Sequence, residues 1–176
     1  MQPLSGLLVL DFTTLLPGPL ATLMLAEAGA EVIKIERPGG EDMRHYEPRF
    51  DGESAMFAVL NRGKKSLVSD LKNAAQRAEL VLLLQRADIL VEQFRPGVMA
   101  RLGLGYEAVK ALNPKLIYCS ITGYGQSGPR ADEAGHDLSG DLALSSVETR
   151  ASAKLATLII RERSVDPYVS VYRKRA

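Results

Sequence analysis

The sequence is sparing with the features that staple a chain, charge it strongly or carry it into a membrane. It has one cysteine, Cys119, so no disulfide can form within the chain, and a reducing compartment is the simplest expectation. Cys119 lies in an apolar run and reads as a core residue rather than a nucleophile. The net charge is +1, which excludes a general attraction to nucleic acid or to an anionic membrane. No apolar run reaches the roughly 18 residues of a membrane span. The first residues lack the basic flank and cleavage pattern of a secretory signal, so the expected location is cytoplasmic and soluble. Also missing is the glycine fingerprint of dinucleotide-binding folds. The first strand-to-helix turn reads Thr13-Thr14-Leu15-Leu16-Pro17-Gly18-Pro19, which argues against a nicotinamide cofactor. No metal site is expected.

What remains is an ordinary globular composition, 46% hydrophobic and 24% charged over 176 residues, enough for one domain with its own core. Leu4 to Phe12 is short and apolar and predicts a buried strand. Pro17-Gly18-Pro19 opens a helix through about Ala28, which Gly29 stops. Glu31 to Glu36 predicts a second strand, and this β-α-β unit implies parallel strands with a right-handed crossover. The polar stretch from Arg37 to Ser54 predicts a long loop in which His45 is a solvated histidine. Further strands are predicted at Ser66–Leu71, Asp88–Glu92 and Lys115–Ile121. Helices are predicted between them at Asn73–Arg86, up to Leu102, and at Tyr106–Leu112. The expected fold is α/β: an open, mostly parallel, Rossmann-like sheet with helices on both faces.

Sheets of this kind bind ligands at the carboxyl ends of their strands. Arg37, Lys72 and Arg95 follow strand ends, and Arg101 comes one turn later. A polyanionic, phosphate-bearing ligand accounts for that set; ordinary solvated charge is the alternative. After the last strand, Gly123, Gly125, Gly128 and Pro129 forbid regular structure and lead to Gly135-His136-Asp137. A rigid strand that presents a His-Asp pair on a loop is a common way to build a site.

The ordered set of motifs resembles the family III CoA-transferases, the CaiB/BaiF family. It comprises Leu4-Ser5-Gly6-Leu7 with Pro17-Gly18-Pro19, the run Gly29 to Pro38, Asn61 to Ser66, Phe94 to Val98, Arg101 to Tyr106, and Ile121 to Pro129 with Gly135-His136-Asp137. The resemblance implies a CoA thioester as substrate and no separate cofactor. It implies that Arg37, Lys72, Arg95 and Arg101 contact the phosphates and adenosine, with Ser69, Asp70 and Leu71 on the strand lining the adenine pocket. Gly135, His136 and Asp137 would sit beside the thioester. Residues 1–140 would form the CoA-binding α/β domain, with 141–176 continuing it as a helix and a strand. Known members are interlocked homodimers, so a homodimer is implied, with an acyl-CoA as the small-molecule partner and no role for nucleic acid or membrane.

Within the family, His136 makes the racemase branch the nearest likeness. Moving a proton between the two faces of a carbon beside a thioester carbonyl needs an acid–base group on each face. His136 suits one face. Asp141 is the candidate for the other, its alternative role being the N-cap of the helix that follows. The spacing from His136 to Asp141 is shorter than the family's, and the resemblance therefore implies a truncated chain without the small second domain. Three functions follow as expectations: proton transfer at the α-carbon of a 2-methylacyl-CoA, CoA transfer between carboxylic acids, and an inactive CoA-binding fragment.

Overall fold

The computed structural model describes residues 2–132 and the strand 169–172. β1 (Leu8–Phe12) leads into α1 (Pro17–Glu27), whose prolines occupy the first turn, where a missing N–H costs nothing. The start of α1 lies hard against the end of β1. A Cβ on Gly18 would come within 2.3 Å of the Thr13 side chain, so only glycine fits. β2 (Glu31–Glu36) returns parallel to β1. After it come a 3₁₀ turn (Asp42–His45), the hairpin strands β3 (Arg49–Phe50) and β4 (Glu53–Ser54), and α2 (Ala55–Asn61). β5 (Lys65–Val68), α3 (Ala74–Leu84), β6 (Ile89–Glu92), α4 (Val98–Arg101), α5 (Tyr106–Leu112), β7 (Ile117–Ile121) and β8 (Val169–Tyr172) complete the described elements.

The main sheet has the order β5-β2-β1-β6-β7-β8. Its first five strands are parallel and β8 runs antiparallel to β7. The expected α/β architecture is therefore present, with helices on both faces. Alternate strand residues feed two cores. Val9, Val32, Ile89, Val91 and Cys119 pack against Ala21 and Leu25 of α1. Leu10, Phe12, Leu90 and Tyr118 pack against Leu80, Leu84, Met99 and Val109 of the opposite helices. Burial on both faces is why these strands read as continuous apolar runs rather than alternating ones. No helix among the described residues is long and apolar enough to cross a membrane.

Local boundaries differ from the sequence reading for physical reasons. The first strand begins at Leu8, because Leu4 to Leu7 close a turn in which Leu7 N donates to Leu4 O at 3.2 Å. The expected loop before Ser54 contains the 3₁₀ turn and the hairpin, and the apolar residues 56–60 belong to α2. Ser54 caps that helix, its hydroxyl accepting from Phe57 N at 3.4 Å. β5 stops at Val68 rather than Leu71. It is an edge strand laddered only to β2, and the ladder ends where Val68 meets Glu36. Ser69, Asp70 and Leu71 are thus in the turn beyond the strand, not on it.

One face of the sheet carries a buried charge network near the strand ends. Asp11 is wholly buried, as is the Lys64 ammonium that pairs with it at 3.1 Å. Thr13 and Thr22 also donate to Asp11. Lys64 Nζ further reaches Pro19 O, Thr22 Oγ1 and Asn61 Oδ1 at 2.8–3.0 Å. Lys34, 1% exposed, donates to Thr13 O and pairs with Glu41, both at 2.7 Å. Burial opposes ionisation of Asp11, but Lys64, Lys34 and the two hydroxyls outweigh it and hold the carboxyl below its usual range. Removing one member of such a pair strands a buried charge. We expect Lys64→Met to lower stability by about 3–5 kcal/mol in urea unfolding, and Asp11→Asn in the same chain to recover part of that loss.

Candidate functional site

The chain reverses its direction across the sheet between β1 and β6. β1, β2 and β5 step one way from the first strand, and β6 and β7 step the other. The two sets of connections diverge there and leave a crevice at the carboxyl ends. It holds a cavity of about 400 Å³. Phe12 and Thr14 come from the end of β1, Ile35, Glu36 and Arg37 from the end of β2, and Ser69 to Lys72 from the turn after β5. Glu41 and Asp42 close one side, and Phe94, Val98 and Leu102 close the other.

The floor and walls are largely hydrocarbon and aromatic: Phe12, Ile35, Leu71, Phe94, Val98 and Leu102. The carboxylates around them are already engaged. Glu36 accepts two hydrogen bonds from Arg44, at 2.7 and 2.6 Å, and one from Ser66. Burial works against its ionisation, yet these partners hold Glu36 down to about 2. Glu36 is therefore not free to hold a ribose, the role a dinucleotide fold would give it. Glu41 is paired with Lys34, although burial still raises its carboxyl above the ordinary range. Asp42 is paired with Arg37.

The predicted residues divide into three groups. Arg37, Ser69, Asp70, Leu71 and Lys72 all line the cavity. Arg37 is partly committed, to Asp42 and to Gly40 O at 3.0 Å. Asp70 Oδ1 accepts from Lys72 N at 2.9 Å and so shapes the turn. Ser69 is held by its own N–H to Glu36 O at 2.7 Å, while its buried hydroxyl finds no partner among the described residues. Arg95 and Arg101 are exposed and lie in the segment that supplies the Phe94, Val98 and Leu102 wall, not in the wall itself. The side chains of Lys72, Arg95 and Arg101 form no ion pair among the described residues. Gly135, His136, Asp137 and Asp141 lie outside the described residues.

Sequence reasoning did not single out Phe12, Thr14, Glu41, Val98 or Leu102 for the site. The signal was positional for Phe12 and Thr14, at and just after the end of β1, whereas Glu41, Val98 and Leu102 lie further along the connections that follow β2 and β6. Glu92 was also passed over. It ends β6, is 4% exposed, and accepts from the Ser120 hydroxyl and from Phe94 N at 2.8 Å. Burial pushes it up to about 6, against those two hydrogen bonds. Among the described residues no His, Cys, Asp and Glu cluster could hold a metal. Cys119 is fully buried, and burial drives its thiol far above the ordinary range, so it is inert.

The Glu92 environment sets a pH dependence. The folded carboxyl holds its proton more tightly than an unfolded one, so the contribution of Glu92 to stability is greatest below about 4.5 and is lost as pH rises through about 6. We expect urea unfolding of Glu92→Gln and the unmodified chain to diverge across that window. The variant should gain about 2 kcal/mol relative to the parent between about pH 4.5 and pH 7.5.

Comparison with known proteins agrees with this geometry. The family model "CoA-transferase family III" matches residues 4–157. The acetyl-CoA:oxalate CoA-transferase of Acetobacter aceti is 48% identical over 136 residues, covering 77% of this chain and 35% of that protein. The succinate–glutarate CoA-transferase of Agrobacterium fabrum is 49% identical over 143 residues, covering 77% and 36%. Among solved structures, a hypothetical protein from Mycobacterium tuberculosis superposes with a TM-score of 0.81 at 36% identity, over 91% of this chain and 50% of that one. A CaiB/BaiF family protein from Brucella suis gives 0.79 at 34%, over 92% and 50%. The chain spans about a third of the length of the curated relatives it matches. By the extent of these matches, the chain belongs to CoA-transferase family III.

Proposed function

We propose that the crevice binds the CoA part of a CoA thioester, and that the whole protein transfers CoA between carboxylic acids. The observation that carries the reading is the cavity itself, an apolar slot edged by Arg37 and by Lys72, whose side chain forms no ion pair among the described residues, with Arg95 and Arg101 exposed on the segment that supplies one wall. A flat heterocycle suits the space between Phe12, Ile35, Leu71 and Phe94, where stacking and burial supply most of the binding free energy. The unpartnered Ser69 hydroxyl offers it one hydrogen bond. Lys72, Arg95 and Arg101 supply the charge that phosphates need, and Arg37 joins them by exchanging Asp42 for a phosphate oxygen. Support for transfer as the reaction comes from the names of the similar proteins, which include oxalate, glutarate and mesaconate CoA-transferases.

In such a transfer an aspartate attacks the thioester carbonyl, forming a mixed anhydride as the CoA thiolate leaves. The thiolate attacks the aspartyl carbonyl and expels the donor acid. The acceptor carboxylate then displaces the thiolate to give a second mixed anhydride, and the thiolate attacks its acyl carbonyl to form the new CoA thioester and free the aspartate. Asp141, with Asp137 beside His136, is the candidate for that aspartate in the sequence beyond the glycine loop. A second reading, 1,1-proton transfer at the α-carbon, is favoured by one sequence feature, His136 between Gly135 and Asp137. Deuterium exchange at the α-carbon of a 2-methylacyl-CoA separates the two, because transfer needs no such exchange. Exchange that is lost in His136→Ala while CoA binding persists would favour proton transfer. A homodimer and a cytoplasmic location remain part of the proposal.

For the chain as it stands, binding is the measurable step. Calorimetry should detect CoA. Phe94→Ala should weaken it about tenfold by removing one wall, and Lys72→Glu should weaken it several-fold with a shallower dependence on salt. No binding at millimolar CoA, with the fold intact by circular dichroism, would overturn the reading.

A further inference from the structure

Glu92 is the one buried carboxyl at the crevice edge with no cationic partner among the described residues. Asp11, Glu36 and Glu41 each face an ammonium or a guanidinium. Glu92 has only the Ser120 hydroxyl and the Phe94 backbone N–H, on one oxygen each. Those two donors belong to different parts of the crevice. Phe94 is part of the cavity wall. Ser120 sits on β7, directly opposite Glu92 in the β6–β7 ladder and one residue before that strand ends. Beyond β7 runs the glycine-rich loop.

We propose that Glu92 is a positioning residue: its carboxylate ties the Phe94 turn to β7 and so fixes the cavity wall relative to the strand that carries the glycine loop. A carboxylate has lone pairs for both donors at once. The protonated acid keeps one good acceptor oxygen for the Phe94 N–H, and its O–H can turn to donate to the Ser120 hydroxyl, which has acceptor lone pairs of its own. Protonation therefore replaces two charge-assisted ties by weaker neutral ones, as the amide of Glu92→Gln also does. Its expected cost to stability supports the assignment, since an apolar or amide side chain would fill the same place more cheaply at neutral pH.

The surroundings leave Glu92 as the group that titrates here. Phe12 on β1 stands opposite it, and the neighbouring Asp11 is committed to Lys64 on the other face of the sheet. On β7, Tyr118 donates to Leu104 O at 3.1 Å, and Cys119 is the adjacent thiol whose pKa the Glu92 charge helps to raise. The helices covering this face contribute exposed Arg101 from α4 and Tyr106 from α5, whose ring packs edge-on against Tyr118.

The inference rests on the CoA reading for its ligand but not for its bond geometry, and two measurements keep the failures apart. In the 176-residue chain labelled with ¹⁵N, the Phe94 amide proton should titrate with a midpoint near 6 without any ligand. A Phe94 amide that does not move across that range overturns the tie, whatever CoA does. With CoA as probe, Glu92→Gln should bind about fivefold more weakly than the parent at about pH 7.5, and within about twofold at pH 5, where the parent is protonated as well. The phosphate of CoA titrates in both proteins, so the ratio of the two Kd values isolates residue 92. An equal ratio at both pH values overturns the positioning role. Absence of CoA binding by both proteins, with the Phe94 titration intact, would instead count against the CoA reading and leave the tie standing.

Discussion

Asp11 is the constraint around which the crevice is assembled. A wholly buried carboxylate is tolerable only if charges and donors come to it. Satisfying it brings Lys64 in from beyond α2, Lys34 across from β2, Thr13 from the β1–α1 turn and Thr22 from within α1. Each of those partners then does something else. Lys34 holds Thr13 O and Glu41, and Lys64 holds the first turn of α1 through Pro19 O. The ends of β1 and β2 are thereby locked to the segment 41–44, so one lip of the cavity is set by electrostatics rather than by loop propensity. Charge pairing of this kind is dear in free energy but sharp in geometry, which suits a site that must be ready before its ligand arrives.

The same accounting explains how a cavity edged by four acids can attract a polyanion. Glu36, Glu41 and Asp42 are neutralised by Arg44, Lys34 and Arg37, and Asp70 is drawn into its own turn. Lys72, Arg95 and Arg101 keep their charge for a ligand. Net charge near zero and local positive character are therefore compatible, because the excess sits where the sheet reverses direction.

Much of this was legible in the residues. The alternation of apolar runs with helical segments gave the parallel sheet, and two of the cations singled out after strand ends, Arg37 and Lys72, lie at the edge where the cavity opens. Five predicted binding residues, Arg37 and Ser69 to Lys72, do line one cavity. What stayed hidden was long-range or local in ways that sequence pattern does not carry. Lys34 reads as one polar residue in a strand, Glu31 to Glu36, and its partners Thr13 and Glu41 belong to other segments. Lys64 and Asp11 are 53 positions apart. α2 has seven residues, too few for a helical period to declare itself. β5 ends where its only ladder partner ends, a fact about β2 and not about the Ser66–Leu71 segment. Glu92 looked like a strand end because nothing nearby in sequence shows that Ser120 faces it.

The central claim is that the carboxyl-end crevice is the CoA site. Amide chemical-shift mapping of the ¹⁵N-labelled chain with CoA tests it directly. The account predicts saturable shifts confined to Ser69–Lys72, Phe94–Leu102 and the end of β2, with the exposed β3–β4 hairpin around Phe50 unmoved. Shifts centred on that hairpin, or on the outer edge of β5 with the crevice silent, would contradict it.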